Sequence, residues 1–279
     1  MKIERIYVLG SPKDLHFTRC CIASIRRWYP DIPISLIKDG HYNTSNLERY
    51  WGVELFDTGG KHFGLGMSRL EPLFQPHRER CLILDSDIVL AGPILDALEQ
   101  FNEDFVVEGS NYPPGDIKAY YYDPELVTLL CPSFRYPGYV FNTGQMVATT
   151  GILKQEFFSP FICFDQPPRV YREDLFAAFD QGILNFVMHQ KAQEGLISIR
   201  RHVFMCWPAS MQPSDVDVDR LKAGQGYDFL MHWAGLKHPA IRDNCMSHVL
   251  DYYERLYFQK TIPLMTRDYN LTNSSPMHV

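Results

Sequence analysis

The sequence predicts an α/β protein with a mostly parallel central sheet flanked by helices. Over the first hundred residues, short apolar runs that end in turn residues alternate with segments of helical spacing, which is the pattern of βαβ units. The 279 residues are 46% hydrophobic and 22% charged, as in ordinary globular proteins. This length suits one large domain, and no apolar run approaches the 18 residues that a membrane-spanning helix needs.

The first half of the chain supplies most of the expected strands. We expect strands at residues 6–9, 32–37, 53–56 and 81–84, a helix at 14–29 that stops before Pro30, and a helix start at 68–74. Gly10, Asp39 and Asp85 each follow one of these strands. Because ligands bind beyond the carboxyl ends of parallel strands, we expect these three residues to lie at a binding edge.

The second half is less regular in sequence. We expect a helix at 175–189, a strand at 229–233 and a helix at 251–258, with the last nine residues frayed. Residues 111–138 are rich in Tyr and Pro and predict an irregular excursion lined by aromatic rings. We expect a nucleotide-binding half at 1–100, an acceptor half at 101–260 and a tail at 261–279.

Charge and cysteine content restrict the class of protein. A net charge of -6 and a pI of about 5.9 argue against a general nucleic-acid binder. The seven Cys residues form no C-x-x-C pair, so we expect free thiols, no structural zinc and a reducing cytoplasm. The charged N-terminal segment enters a strand directly, which is unlike a signal peptide. Peripheral contact with a membrane is compatible with this composition.

The triplet Asp85-Ser86-Asp87 is the central chemical motif. An apolar strand delivers two carboxylates to the expected sheet edge, and hard divalent cations prefer oxygen ligands. Taken alone, the triplet also fits an ordinary turn at a strand end. A second acidic run, Asp215 to Asp219, follows Pro213 and Ser214 and predicts a solvated helix start, where acidic residues complement the helix dipole.

Two further segments carry polar residues in suggestive places. His232 ends a late strand, Lys237 follows five residues later, and Gly235 between them would let the backbone approach a phosphate. Asp180 and Gln181 precede an apolar helix. Each residue also has a structural explanation, as a packed histidine, a surface lysine or a helix cap.

The order of these motifs resembles glycosyltransferase family 8, which includes glycogenin and bacterial lipopolysaccharide galactosyl- and glucosyltransferases. The resemblance runs from about residue 3 to 240 and joins Asp85-Ser86-Asp87, Phe141 to Gly144, Asp180 to Asn185 and His232 to Lys237. It implies a GT-A fold with a Rossmann-like sheet. It also implies hexose transfer with retention from a nucleotide-diphosphate sugar, a UDP-sugar above all, to a glycan or other hydroxyl acceptor.

The resemblance also implies roles for individual residues. Asp85, Asp87 and His232 would ligate Mn²⁺ or Mg²⁺. The other implied donor-site residues are Val8, Leu9, Gly10 and Asp39 at the nucleobase and ribose, Ser86 within the triplet, and Arg69, Gly235 and Lys237 at the diphosphate. Asn142 and Gln181 would face the donor sugar, and Asp180 would lie near the reacting centre. Two departures stand out: Lys237-His238-Pro239 replaces the family's Lys-Pro-Trp, and residues 111–138 have no counterpart.

Two alternatives remain open from the sequence. A haloacid-dehalogenase-type phosphohydrolase also begins with an apolar strand and an Asp-x-Asp motif, and Asp85 to Val89 comes close to its pattern. In that class the motif opens the domain, whereas here some 80 residues precede it. The other alternative is a non-catalytic protein that binds sugar nucleotides.

Overall fold

The computed structural model describes residues 1–58, 63–64, 66–165, 168–177, 180–235 and 237–273. The strands in these ranges are β1 Arg5–Gly10, β2 Ile34–Lys38, β3 Val53–Leu55, β4 Arg80–Asp85, β5 Ile88–Leu90, β6 Phe105–Glu108, β7 Gln145–Thr149, β8 Ile162–Cys163, β9 Arg169–Val170, β10 Ile199–His202, β11 Met205–Cys206 and β12 Leu230–His232. The helices are α1 Leu15–Trp28, α2 Ser45–Trp51, α3 Leu70–Leu73, α4 Ile94–Leu98, α5 Pro114–Tyr120, α6 Pro124–Leu130, α7 Gln155–Phe158, α8 Asp180–Gln193, α9 Val218–Lys222 and α10 Ser247–Asn273. Leu236 of the last sequence motif and the end of the expected tail, 274–279, lie outside the described residues.

A seven-stranded sheet organises the molecule, with strand order β10-β6-β7-β4-β1-β2-β3. Strand β1 runs parallel to both β2 and β4, whereas β7 is antiparallel to its two neighbours. The sheet is therefore mostly parallel, as the sequence predicts. The expected first four strands, the helix before Pro30 and the strand ending at His232 are confirmed within a few residues.

Both faces of the sheet are buried, which explains why its central strands are apolar throughout. On β4, Leu82 and Leu84 belong to the hydrophobic cluster that contains α1 and the start of α10. Cys81 and Ile83 point to the opposite face and join the cluster that contains α8. Helices thus cover the sheet on two sides, and only the strand ends are left for a binding site.

Hydrogen bonds bring several chain segments together at one edge of the sheet. The register pairs Leu9 with Asp85, and the Ser86 amide donates to the Leu9 carbonyl at 3.0 Å. The Asp85 amide donates to the Gly144 carbonyl at 2.7 Å, just before β7 begins. A small sheet of β11, β12 and β5 pairs His232 with Ile88. The chain around the end of β4 is therefore held by hydrogen bonds from β1, from the segment before β7 and, through β5, from β12.

The structure differs from the sequence expectation in three elements. Residues 111–138 are not wholly irregular, since they contain α5 and α6, each with Pro at its first helical position, where the fixed φ of proline suits a helix. The expected helix at 175–189 is confirmed from Asp180 onward, whereas residues 175–177 are not helical, because Phe176 forms an isolated bridge with Tyr122; residues 178–179 lie outside the described residues.

The C-terminal helix is much longer than expected, since α10 continues to Asn273. Contacts with α2 explain the extension. Trp51 stacks on Tyr257 with ring centroids 5.2 Å apart, its indole N–H donates to Thr261 at 2.9 Å, and Tyr50 donates to Asp268 at 3.0 Å. Tertiary packing therefore stabilises this helix beyond residues 251–258, where the sequence pattern predicts it.

The expected free thiols are confirmed, since all seven Cys residues are unpaired, four of them buried. Across the described residues, none of the helices combines the length and the apolar character needed to cross a bilayer.

Candidate functional site

Asp85, Asp87 and His232 converge where β4 and β12 end. One potential ligand atom from each residue lies within 4.8 Å of the others. His232 Nε2 is 3.4 Å from Asp87 Oδ1 and 3.9 Å from Asp85 Oδ2. Asp87 and His232 are buried, while Asp85 is partly exposed. The structure thus assembles the three residues for which the sequence predicts metal ligation.

The chemistry of this cluster suits a divalent cation. Neither ring nitrogen of His232 makes a hydrogen bond to a described residue, since the 3.4 Å approach of Nε2 to Asp87 lacks hydrogen-bond geometry. Buried polar atoms in folded proteins are nearly always paired, so an unpartnered imidazole beside two carboxylates marks a place for a ligand. Carboxylate oxygens together with an imidazole fit Mn²⁺ or Mg²⁺. Trp207 stacks on the imidazole at 5.4 Å and thereby restricts its orientation.

Arg69 links the cluster to Asp180. Its guanidinium lies 3.2 Å from Asp85 Oδ1 and 2.5 Å from Asp180 Oδ2, and it also donates to the carbonyls of Gly66 and Thr143. Burial opposes the charge on Arg69, but the two carboxylates outweigh it and raise its pKa. Burial raises the pKa of Asp180, and Arg69 only partly offsets this.

Lys237 contacts the cluster through Asp87. Its ammonium lies 3.2 Å from Asp87 Oδ2 and 3.0 Å from Asp14 Oδ2. Burial would raise the pKa of Asp87, but His232 and Lys237 hold it well below its usual range. The pKa of Lys237 is raised despite burial, because Asp87 and Asp14 stabilise its charge.

The balance of charge in these linked ion pairs favours a dication. The four carboxylates in contact with Arg69 and Lys237 exceed those two cations by two charges. Concentrated negative charge at a partly closed edge of the sheet attracts cations. A divalent ion at Asp85 and Asp87 would neutralise the excess.

Around the cluster of Asp85, Asp87 and His232, Gly144 is the position at which a side chain would fit least well. A Cβ at this position would lie 2.4 Å from His232 Cε1, 2.8 Å from Asp85 Oδ2 and 2.9 Å from Asn142 Oδ1. Contacts this short require the candidate metal ligands to move. The Asn142-Thr143-Gly144 step therefore allows β7 to begin directly against the candidate metal site.

A cavity of about 330 Å³ opens at the carboxyl ends of β1, β2 and β4. Its described lining includes most residues for which the resemblance implies donor contacts, namely Leu9, Gly10, Asp39, Arg69, Asp85, Ser86, Asp87, His232, Gly235 and Lys237. Val8 is not among them, because its side chain is fully buried in the core that contains α1. The predicted donor residues, apart from Val8, thus share one cavity.

A second and larger cavity of about 980 Å³ adjoins the first. Asn142, Asp180 and Gln181 line it, so the structure brings together the three residues predicted at the reacting centre. Gln181 Oε1 accepts from Asn142 Nδ2 at 3.3 Å, and its Nε2 donates to the Tyr120 carbonyl at 3.1 Å. These hydrogen bonds hold the two amide side chains in fixed positions.

The acidic run at 215–219 forms helix caps, as predicted. Asp217 accepts from the Asp219 amide at 2.8 Å at the start of α9, and Asp215 accepts from the Gln212 amide at 2.8 Å. All three aspartates of the run are exposed, and none lines either cavity. This second Asp-x-Asp pattern therefore stabilises local structure.

Three residues that shape the site were not predicted from the sequence. Asp14 anchors Lys237, Gly66 makes room for Asp180, and Trp207 stacks on His232. A Cβ on Gly66 would lie 2.9 Å from Asp180 Oδ1, and this residue has φ +85, a backbone conformation that favours glycine. No local motif marks these positions, because each is brought to the site by tertiary contacts alone.

No protein-family model and no curated protein matches this chain. Solved structures do. One is WbbM, a bifunctional glycosyltransferase, with a TM-score of 0.60, 12% identity and coverage of 94% of this chain and 52% of that chain. Another is the galactosyltransferase LgtC crystallised with donor and acceptor sugar analogues, with a TM-score of 0.58, 16% identity and coverage of 92% and 96%.

A third similar structure is the glycosyltransferase GlyE of Streptococcus pneumoniae TIGR4, with a TM-score of 0.54, 12% identity and coverage of 96% of this chain and 64% of that chain. The chain therefore spans about half of WbbM, under two thirds of GlyE and nearly all of LgtC. At these identities the likeness defines the fold. The chain has the GT-A glycosyltransferase fold, as the sequence resemblance predicts.

Proposed function

We propose that this protein is a metal-dependent glycosyltransferase that moves a hexose from a nucleotide-diphosphate sugar, specifically a UDP-sugar, to a hydroxyl of a glycan or other acceptor, with retention. One observation carries the proposal. In a GT-A fold, two carboxylates and an unpartnered buried imidazole meet beside a cavity at the strand ends. That is where α/β sheets bind nucleotides.

Asp85, Asp87 and His232 would hold Mn²⁺ or Mg²⁺. A divalent ion bound there supplies Lewis-acid stabilisation of the charge that develops on the leaving nucleoside diphosphate. Lys237 lies beside Asp87, and about a third of its side chain is exposed toward the cavity it lines, so it adds a second cation for the diphosphate. Arg69 holds Asp85 and Asp180 in place through its ion pairs.

The residues of the larger cavity orient the donor sugar and the acceptor. The Asn142 and Gln181 amides are fixed by hydrogen bonds and offer donors and acceptors to sugar hydroxyls. The carboxylate of Asp180 is engaged by Arg69, which favours a positioning role over attack on the sugar. We therefore infer front-face displacement. The bond from the anomeric carbon to the diphosphate breaks, the acceptor oxygen bonds on the same face, and its proton passes to the leaving diphosphate.

The phosphohydrolase alternative gains no support from the fold. Strands β1 to β3 precede the Asp85 motif in the chain, and the similar solved structures described above are all glycosyltransferases. A non-catalytic protein that binds sugar nucleotides would need no second, larger cavity beside the first.

A ligand screen tests the proposal. UDP, GDP and CMP and their sugars would be added with and without Mn²⁺, and the thermal midpoint and product formation would be followed. We expect UDP with Mn²⁺ to raise the midpoint, because a ligand that binds only the folded state stabilises it. We also expect NMR of the product to show the donor's anomeric configuration. Stabilisation by vanadate or phosphate alone would favour the phosphohydrolase instead.

A further inference from the structure

The larger cavity has several aromatic side chains in its lining. Its described lining includes Tyr112, Tyr120, Tyr121 and Trp207, three of which come from the Tyr- and Pro-rich segment 111–138. Tyr120 is 57% exposed, while Tyr121 is only 2% exposed. Tyr122 points away into an aromatic cluster with Phe134. Exposed rings in a polar cavity offer flat apolar surfaces of the kind that pack against the C–H face of a sugar.

Buried hydrogen bonds hold this aromatic lining in place before any ligand binds. Glu108, fully buried at the end of β6, accepts from the Ser110 amide at 2.7 Å, from the Ser110 hydroxyl at 2.5 Å and from the Tyr112 hydroxyl at 3.2 Å. The rings of Tyr112 and Tyr121 lie 5.4 Å apart. A wall that is already ordered loses little conformational entropy when a ligand binds.

The charges in this cavity disfavour an anion. Among its described lining residues, Arg69 is the one with a permanent positive charge, and Asp85 and Asp180 already neutralise it. Asp116, an exposed acidic residue in the first turn of α5, also lines the cavity. Lys237 lines the smaller cavity, on the donor side.

Two nearby cations are used for local structure. Arg201 donates to the Gly109 carbonyl at 2.8 Å and to Asn111 Oδ1 at 3.0 Å, behind the segment that lines the cavity. Lys118, on the same helix as Asp116, pairs with Asp123 at 2.7 Å. Neither lines the cavity. Within the part of the chain that the structure describes, an acceptor carboxylate or phosphate would therefore meet Asp116 without a free cation to offset it.

We propose that the larger cavity binds an uncharged sugar residue as acceptor, with Tyr120 as its stacking surface and Asp116 as the residue that excludes anionic acceptors. This inference rests on the proposed function and names the substrate class of its acceptor side. Vicinal sugar hydroxyls can donate to the Asp116 carboxylate, and such charge-assisted hydrogen bonds are stronger than neutral ones. A uronic acid in the same position would bring two negative charges together.

Matched sugars provide the test. Methyl galactoside and methyl galacturonide differ at C6 alone, as do methyl glucoside and methyl glucuronide. Their dissociation constants would be measured by NMR titration against the full chain loaded with UDP and Mn²⁺. We expect the neutral member of at least one pair to bind about tenfold more tightly than its acidic partner. Equal or tighter binding of both acids would overturn the proposal.

Three variants assign the effect to residues. Asp116→Lys is expected to lower the preference for the neutral sugar at least about threefold, since exposed charges interact weakly but measurably. Tyr120→Ala is expected to weaken neutral-sugar binding about tenfold. Both should leave UDP affinity unchanged. Glu156→Lys makes the same change of charge on exposed α7, outside both cavities, and should behave as the unmodified protein.

The outcomes separate this inference from the proposed function. UDP binding without binding of any of the four sugars would overturn the acceptor inference and leave the donor assignment intact. Sugar binding with the predicted charge preference, but without UDP binding, would overturn the donor assignment and support the acceptor inference. An unchanged preference in Asp116→Lys would remove Asp116 from the proposal.

Discussion

Asp-x-Asp patterns occur in two regions of the chain, and their structural surroundings are opposite. Asp85 and Asp87 follow an apolar strand in the middle of the sheet and meet a histidine from another strand. Asp217 and Asp219 follow an exposed turn, and the Asp217 carboxylate caps the helix that begins beside it. The first pair lines a cavity, whereas the second faces solvent.

The difference lies in what surrounds the carboxylates. Burial of Asp87 makes its charge costly unless neighbouring groups stabilise it. The Lys237 ammonium lies 3.2 Å from this carboxylate and the His232 imidazole 3.4 Å. Asp217 needs no such partner, because water and backbone amides solvate it. A carboxylate pair becomes a candidate metal site when the fold removes it from water and places a third potential metal-binding side chain beside it.

The largest expected effect is at Asp87. Asp87→Asn removes a charged ligand, so we expect loss of the stabilisation by UDP with Mn²⁺ and a fall in kcat/KM of about 10³-fold. Thermal midpoints with and without Mn²⁺, and initial transfer rates, measure this. Asp217→Asn is the matched control, and since Asn caps helices as well as Asp does, it should stay within about twofold. Similar losses in both variants would mean that the comparison between the two runs is wrong.

A second prediction compares the arginine beside each acidic motif, Arg69 beside Asp85-Ser86-Asp87 and Arg220 beside the run at 215–219. Arg69→Lys keeps the positive charge but cannot bridge Asp85 and Asp180 with one planar group, so we expect about a 10²-fold loss in kcat and a stability loss of about 2 kcal/mol. Rates and denaturant midpoints check both. Arg220→Lys, beside the second run, should cost less than about 1 kcal/mol and leave kcat unchanged. A tolerated Arg69→Lys would show that the ion pairs do not organise the site.

A third prediction tests how closely the first site is packed. Gly144→Ala should reduce Mn²⁺ affinity by about 10- to 100-fold, because the added Cβ would displace His232 or Asp85. Titration of Mn²⁺ against tryptophan fluorescence measures this. Gly115→Ala adds the same atom where nothing lies within 4 Å and should leave the affinity unchanged. Unaltered affinity in Gly144→Ala would mean that the ligands adjust without cost.

The smallest effect is expected at the second run. Asp217→Ala removes the side-chain cap of α9 and should lower stability by about 1 kcal/mol. In a protein of this size that corresponds to a fall of about 2 to 4 °C in Tm. The same variant should retain wild-type transfer rates. A large loss of activity with unchanged Tm would give Asp217 a chemical role that its position does not suggest.

Sequence patterns were sufficient for the central strands and for the order of the site motifs. Buried parallel strands need continuous apolar runs, so β1, β2 and β4 are visible as such, and polar residues after them mark the binding edge. Helices α5 and α6 in segment 111–138 were not predicted, because the Tyr and Pro content of this segment indicates irregular structure. These short helices depend on packing against residues from other parts of the chain. The length of α10 likewise depends on α2, since Trp51 of α2 donates to Thr261, 210 positions later in the chain.

By itself, the sequence determined the α/β class, the edge of the sheet at which the cavities lie and the identity of the metal-ligand candidates Asp85, Asp87 and His232. The tertiary structure alone decided that Asp14 anchors Lys237, that Trp207 restricts His232, and that Val8 belongs to the core. A local sequence pattern shows which residues of one strand or helix are buried and which are exposed to solvent. Contacts between residues that lie some 25 to 220 positions apart depend on how the sheet brings strand ends together, which no local pattern encodes.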